Sequence, residues 1–201
     1  MKSFKEVKEA VITSVKEYNP CKDDFKRVLE SKNKKELLSI LKDNAYWCFQ
    51  ETKSITIEIL DMFGEKTCNE LGIYYKGVEE KINNKKDLLF LGSFKCKMLN
   101  NSTVTEMLNN STVTKMFGNS TVTEMFGNST VAKMFGNSTV TEMWGNSTVT
   151  EMWGNSTVTM PDSYFSSDIK NIKSQNDNSQ VIDLNNNKIY IVKNKFEIVE
   201  L

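Results

Sequence analysis

The side chains that most often carry out reactions are sparse in this sequence. There is no histidine among its 201 residues. That removes the commonest general acid–base, the Ser-His and Cys-His nucleophile pairs and most catalytic zinc sites. The four cysteines, Cys21, Cys48, Cys68 and Cys96, form no C-x-x-C pair. With no histidine to complete a tetrahedral ligand set, no zinc site is expected, and they read as free thiols of a reducing compartment. The neighbouring carboxylates Asp23-Asp24 and Glu79-Glu80 fit solvated surface pairs, and no glycine-rich phosphate loop occurs. The expectation is a chain that is not an enzyme, with no catalytic residue, no metal and no cofactor.

What remains is recognition chemistry, concentrated in one stretch. Residues 101 to 159 are seven tandem copies of a nine-residue unit, beginning at Asn101, Asn110, Asn119, Asn128, Asn137, Asn146 and Asn155, the last breaking after its fifth residue at Met160-Pro161. The unit reads Asn-Ser-Thr-Val-Thr-Glu/Lys-Met-aromatic-Gly. The eighth position supplies Phe117, Phe126, Phe135, Trp144 and Trp153, large rings that anchor partners at low entropic cost. These five are the candidate partner-binding residues. The competing expectation is that they stack on one another, or fold inward at the bend, as structural ladders. Thr on both sides of Val, as in Thr103 and Thr105 or Thr121 and Thr123, would give outward Thr-x-Thr ladders resembling those of ice-binding solenoids; Ala132 interrupts the array. Thr is also simply a good exposed strand residue.

Those surfaces depend on how the nonamer folds. Ser at the second position, Val at the fourth and Met at the seventh do not vary between complete copies, while the sixth switches between Glu and Lys. A position that accepts both charges is expected to face water; invariant small, medium and flexible apolar residues suit a narrow, evenly spaced core. Positions two and four fall on one strand face, position seven breaks the alternation and implies a bend, and Gly-Asn supplies the turn. One nonamer is too short to close a coil. Two per coil, 18 residues, give a flattened two-sided β-solenoid of about five coils, roughly 24 Å long at the ~4.8 Å strand spacing. The rival is an antiparallel meander, in which neither face is a core. Two units per coil would place Phe117, Phe135 and Trp153 on one edge and Phe126 and Trp144 on the other. It would also stack Glu106, Glu124 and Glu142 on one side, with Lys115 and Lys133 opposite, a mildly unfavourable arrangement.

Degenerate copies should shield the ends of the array. Gly92-Ser93-Phe94-Lys95-Cys96-Lys97-Met98-Leu99-Asn100 aligns with the first full copy. Ser167, Ile169 and Ile172 stand for Ser, Val and Met, and Asn178 to Leu184 repeat the pattern again. Lys188-Ile189-Tyr190-Ile191-Val192 and Phe196-Glu197-Ile198-Val199 form a closing pair of strands. Ahead of the array the spacing is helical: Phe4, Val7, Val11, Val15 and Tyr18 behind a Ser3/Glu6 capping box and ended at Asn19-Pro20. A short helix capped by Asp23 or Asp24 follows, then a stripe of Leu37, Leu38, Leu41, Ala45, Cys48 and Phe49. Next come a helix capped by Thr56 and closed by Gly64, a turn ending at Gly72, and a strand Ile73-Tyr74-Tyr75. The fold class is therefore α+β: a helical N-terminal domain at 1–87, a β-solenoid at 88–186 and capping strands at 187–201.

Acidic and basic residues number 26 each, so no net field favours nucleic acid or an anionic membrane, and no basic groove supports direct nucleic-acid binding. No apolar run is long enough to span a bilayer, and the N-terminus moves straight into a charged amphipathic pattern without a signal-peptide core. A cytoplasmic setting is expected, in which the recurrent Asn-Ser-Thr carries no glycan.

The Asn-Ser-Thr-Val-Thr-Glu-Met-Trp-Gly unit, the segment Lys34-Lys35-Glu36-Leu37-Leu38 with Trp47-Cys48, and the closing Lys188-Ile189-Tyr190-Ile191-Val192 resemble nonapeptide-repeat proteins of gut bacteria and their phages. The chain is more distantly similar in architecture to pentapeptide-repeat proteins, without their period of five. The resemblance implies a phage- or mobile-element-encoded protein-binding module that acts as a steric inhibitor of a host protein, such as a CRISPR-type defence nuclease. The alternatives are an ice- or surface-binding solenoid and a structural or oligomerising protein. A protein partner is expected, and a homo-oligomer is compatible with the sequence.

Overall fold

A computed structural model describes residues 2–163, 168–176, 178–193 and 195–200. The chain divides into two compact units, Met1–Tyr75 and Lys76–Leu201.

The first unit is helical. Helix α1 (Phe4–Lys16) opens with the expected capping box: the Glu6 amide donates to Ser3 Oγ at 3.3 Å and the Ser3 amide donates to Glu6 Oε2 at 2.7 Å. It buries Val7, Val11 and Val15. Asn19 then takes a left-handed φ of 50° ahead of Pro20. In α2 (Lys22–Glu30) the cap is Cys21, which makes no side-chain hydrogen bond; Asp23 and Asp24 stand in the first turn instead of capping it. There they face the positive end of the helix dipole.

The stripe expected to run unbroken from Leu37 to Phe49 is divided between α3 (Lys34–Asp43) and α4 (Ala45–Gln50). Asn44 leaves the helical region (φ −124°, ψ 32°) and its side-chain amide donates to the Ile40 carbonyl at 3.1 Å. Such side-chain-to-backbone bonds compete with helix continuation. Helix α5 (Ile57–Phe63) is capped by Thr56 and closed by Gly64, as expected. Helix α6 (Glu65–Glu70) leads through Gly72, at φ 74°, into β1 (Ile73–Tyr74). Tyr75 is buried, and its hydroxyl donates to Asp61 Oδ1 at 2.7 Å.

The second unit is a β-solenoid. Its strands are β2 (Val78–Asn83), β3 (Leu88–Phe90), β4 (Lys95–Leu99), β5 (Thr103–Met107), β6 (Thr112–Met116), β7 (Thr121–Met125) and β8 (Thr130–Met134). They continue with β9 (Thr139–Met143), β10 (Thr148–Met152), β11 (Thr157–Met160), β12 (Ile172–Gln175), β13 (Gln180–Asp183), β14 (Lys188–Lys193) and β15 (Lys195–Glu200). Strands alternate between two sheets. One runs β3-β5-β7-β9-β11-β13-β14-β15 and the other β12-β10-β8-β6-β4-β2. Pairing is parallel throughout the repeats, with Val104 on Val122, Val122 on Val140 and Met116 on Met134, a displacement of 18 residues per coil. The chain therefore winds about five coils, and the antiparallel meander is excluded. At the C-terminal end β13–β14 and β14–β15 pair antiparallel, adding a hairpin to the sheet.

Ser, Val and Met of every full copy have no solvent exposure, so the interior is a stack of identical layers. The ends depart from the simple alignment. Against β6, Cys96 partners Val113 and Met98 partners Met116, with an irregularity between Cys96 and Lys97. Phe94, not Ser93, fills the buried Ser layer, and Ser93 is exposed. At the other end Ile172 partners Val149 and Gln175 partners Met152, so Ile172 holds the Val place instead of the Met place. Likewise Asp183, not Leu184, lies against Met160; Ser167 falls outside the described residues.

Two polar side chains thus terminate the methionine columns, and both are satisfied. Gln175 Nε2 donates to the carbonyls of Ser179 (2.8 Å) and Tyr190 (2.9 Å). Asp183 accepts from the Asn186 amide and side chain at 3.1 and 2.9 Å. Ending the methionine columns on hydrogen-bonded polar residues makes those columns unsuited to a further coil.

Candidate functional site

The site expected from the sequence lies at the corners of the solenoid, where each strand ends. After the buried Met, the backbone of position eight is pinned to the coil before it. The Phe135 amide donates to Met116 O, Trp144 to Met125 O and Trp153 to Met134 O, each at 2.9 Å. Since each coil repeats that bond, the rings superimpose. Phe117 and Phe135 stack with centroids 5.0 Å apart and planes 9° apart; Phe126 and Trp144 stack at 6.1 Å and 9°. Leu108 begins the second column, fully buried.

The two expectations for the rings turn out to be compatible. They form ladders, and none of the five folds into the interior: Phe117, Phe126, Phe135 and Trp144 are half-buried and Trp153 is 37% exposed. Each indole is fixed by the charged residue two positions earlier, Trp144 Nε1 donating to Glu142 Oε2 at 3.0 Å and Trp153 Nε1 to Glu151 Oε2 at 3.2 Å. Trp144, held by stacking on Phe126 and by its hydrogen bond to Glu142, gives up little rotational freedom to a partner.

Position six lies on the outer side, as expected, but is only partly exposed. Glu106, Glu124 and Glu142 form one column in register. Burial, reinforced by the Glu124 charge, pushes the Glu106 carboxyl up to about 7; its Oε2 is buried without a hydrogen-bond partner. Glu124 is raised by burial and by Glu142. The opposite column is Lys97, Lys115, Lys133 and then Glu151. There Lys133 Nζ meets Glu151 Oε2 at 2.8 Å, and the hydrogen bonds from Lys133 and Trp153 hold the Glu151 carboxyl below its usual range.

The outer faces of the sheets carry the threonines, with Thr103, Thr121, Thr139 and Thr157 in one column. Several hydroxyls turn back on the protein: Thr114 donates to Cys96 O at 2.7 Å and Thr105 to Asp87 Oδ1 at 3.1 Å. The sequence reading missed a further ladder. Asn at position one, read only as a turn residue, chains its side-chain amides along both corners: Asn119 to Asn101, Asn137 to Asn119, Asn155 to Asn137 and Asn128 to Asn110, at 3.1–3.4 Å. Its invariance in all seven copies was the available signal, since any small turn residue would otherwise have served.

The helical unit holds a cleft of about 210 Å³, walled by Val15, Phe25, Val28, Ile40, Leu41 and Trp47, with Cys21 and Asp24 among its lining. Asp24 accepts from Arg27 at 2.7 Å, and Arg27 also bonds Asp43 at 2.8 Å. Among the described residues no three His, Cys, Asp or Glu side chains are grouped to hold a metal ion, and no helix is long and apolar enough to cross a membrane. No protein-family profile matches the chain, nor does any curated protein or solved structure.

Proposed function

We propose that this chain is a non-enzymatic protein-binding module of a phage or mobile element, acting in the bacterial cytoplasm as a steric inhibitor of a host protein, with a CRISPR-type defence nuclease as the class of target. The observation that carries the reading is the pair of preorganised, partly exposed ring columns: aromatic surface held in place in advance is what a protein-binding surface needs. The lack of histidine and the engagement of Asp24 by Arg27 at the cleft of the helical unit support a role without catalysis. The resemblance to nonapeptide-repeat proteins of gut bacteria and their phages supports the genomic setting and the family.

A pull-down from bacterial lysate with the full chain should recover one dominant protein, and the Phe126→Ala/Trp144→Ala and Phe135→Ala/Trp153→Ala pairs should identify which column holds it. An empty pull-down at high bait concentration, or undiminished capture by both pairs, would refute the assignment. The in-register threonine columns favour a second reading, a surface that binds ice. It requires thermal hysteresis from the purified protein, and an inert sample removes it. The hydroxyls of Thr105 and Thr114, already bonded to the protein, count against it.

A further inference from the structure

Glu and Lys alternate at position six through five consecutive copies: Glu106, Lys115, Glu124, Lys133, Glu142. Along the sequence that looks like charge balance. In the fold, alternate copies belong to opposite sheets, so the alternation does the reverse and sorts the signs. Glu106, Glu124 and Glu142 stack on one corner; Lys97, Lys115 and Lys133 stack on the other.

The sorting is unfavourable within one molecule. Like charges on adjacent strands repel, and Glu106 keeps a buried carboxylate oxygen without a partner. Nor does the backbone forbid pairing. One coil further, Glu151 follows Lys133 and the two bond at 2.8 Å. Changing sign on every coil would therefore neutralise both columns. Among the described residues, none of Glu106, Glu124, Glu142, Lys97 and Lys115 has an ion-pair partner within the chain.

We infer that the acidic corner of one molecule docks on the basic corner of a second copy, Glu106, Glu124 and Glu142 facing Lys97, Lys115 and Lys133, with the adjoining ring columns in contact beside them. The match is built in: both columns have the same 18-residue period and hence the same rise of about 4.8 Å per coil, so one pair in register brings all three into register. The two corners lie on different sheets, so the contact is heterologous, joining unlike surfaces of the two copies. A pair so joined keeps one free basic corner on the first molecule and one free acidic corner on the second, through which association continues as a row. Three coils offer far less than the roughly 800 Å² per partner of a stable interface, so the contact is weak, concentration-dependent and screened by salt. This inference does not rest on the inhibitor reading.

Sedimentation velocity on the purified full chain tests it without any host component. In about 20 mM NaCl, where charges are little screened, and at about pH 8.5, where Glu106 is ionised, the weight-average mass should rise at least about twofold between roughly 10 µM and 500 µM, the range where so small an interface associates. In about 500 mM NaCl it should fall back to the monomer. The triple variants E106K/E124K/E142K and K97E/K115E/K133E should each be monomeric alone and should associate when mixed. The uncharged E106Q/E124Q/E142Q variant, which removes repulsion and keeps side-chain size, should be monomeric at every concentration. A wild-type chain that stays monomeric in low salt, a glutamine variant that associates like wild type, or two folded charge-swap variants that ignore each other would each overturn the inference. A failed pull-down from lysate would leave it standing, so the two proposals fail separately.

Discussion

The two corners of the solenoid are built from the same nine residues, yet the acidic one is looser. On the side of β5, β7 and β9, Phe126 and Trp144 are 6.1 Å apart; on the side of β6, β8 and β10, Phe117 and Phe135 are 5.0 Å apart. The corner glycines follow the same order. A methyl placed on Gly145 would lie 3.8 Å from the Gly127 backbone, whereas one on Gly154 would lie 2.9 Å from the Gly136 carbonyl oxygen. The interiors match in burial: Ser, Val and Met of the full copies are fully buried on both sides. What distinguishes the corners is carried by position six, by the ring at position eight and by the closeness of successive turns, on top of a core indifferent to side. Sameness within and difference outside can be attacked separately.

The largest effect should fall on both sides equally. Met125→Ala and Met134→Ala each delete a fully buried side chain, and each should cost about 2–5 kcal/mol in denaturant unfolding. Costs differing by more than the spread of repeat measurements would show that the shared interior is not shared. Next come the turns, where the sides should part. Gly145 and Gly154 both have positive φ, 62° and 70°, so alanine is strained at either. Crowding is added only at Gly154, so Gly154→Ala should cost about 2–3 kcal/mol against about 1 kcal/mol for Gly145→Ala; equal losses would mean the corners are equally tight.

The third effect belongs to the acidic corner alone. Glu106 is raised to about 7 from an unfolded value of 4.5. Between those values the folded chain holds a proton that the unfolded chain has released, so stability is greatest below 4.5 and falls as pH rises through 7. The loss between pH 5 and pH 8 should be about 1–2 kcal/mol after allowance for solvent screening. Glu106→Gln should flatten this slope and be more stable than wild type at pH 8; an unchanged slope would mean Glu106 titrates normally. Glu6 behaves oppositely. The Ser3 amide and hydroxyl and Lys2 hold it down at about 2, so its contribution is lost only as pH falls from 4.5 toward 2.

The smallest effect is at Glu151. Glu151→Gln removes a partly exposed surface ion pair, whose loss should be within the error of an unfolding curve. It should still shift the emission of Trp153, whose indole N–H that carboxylate accepts.

Much of this architecture was legible because it is periodic. Invariant Ser, Val and Met against a variable sixth position pointed to the interior, and the 18-residue coil followed from the shortness of one unit. Helix boundaries at Ser3, Thr56, Gly64 and Gly72 were readable because capping is local chemistry. What escaped reading was set by three-dimensional company. Asn44 breaks a stripe that periodicity alone continues. Phe94 replaces Ser at the first coil because the local irregularity shifts the register by one. The sixth position is only partly exposed, a degree of cover that no spacing rule supplies. The Asn ladders and the indole-to-carboxylate bonds join residues by coil and corner, relations visible only once the coil exists. The five rings were placed on the correct corners; whether they bind a partner is for the pull-down to decide.

A nine-residue unit in an eighteen-residue turn gives the array a parity. Gain or loss of two units would leave every remaining side chain on the side it already occupies. Gain or loss of one would hand everything downstream to the other side. Without residues 119–127, for instance, Lys133 would stack on Glu106 and Glu142 on Lys115. The buried layers would be untouched, being alike on both sides, so folding would scarcely register the event, yet both columns of sign would be scrambled. Tandem repeats are prone to such slips, and here only even-numbered ones are silent.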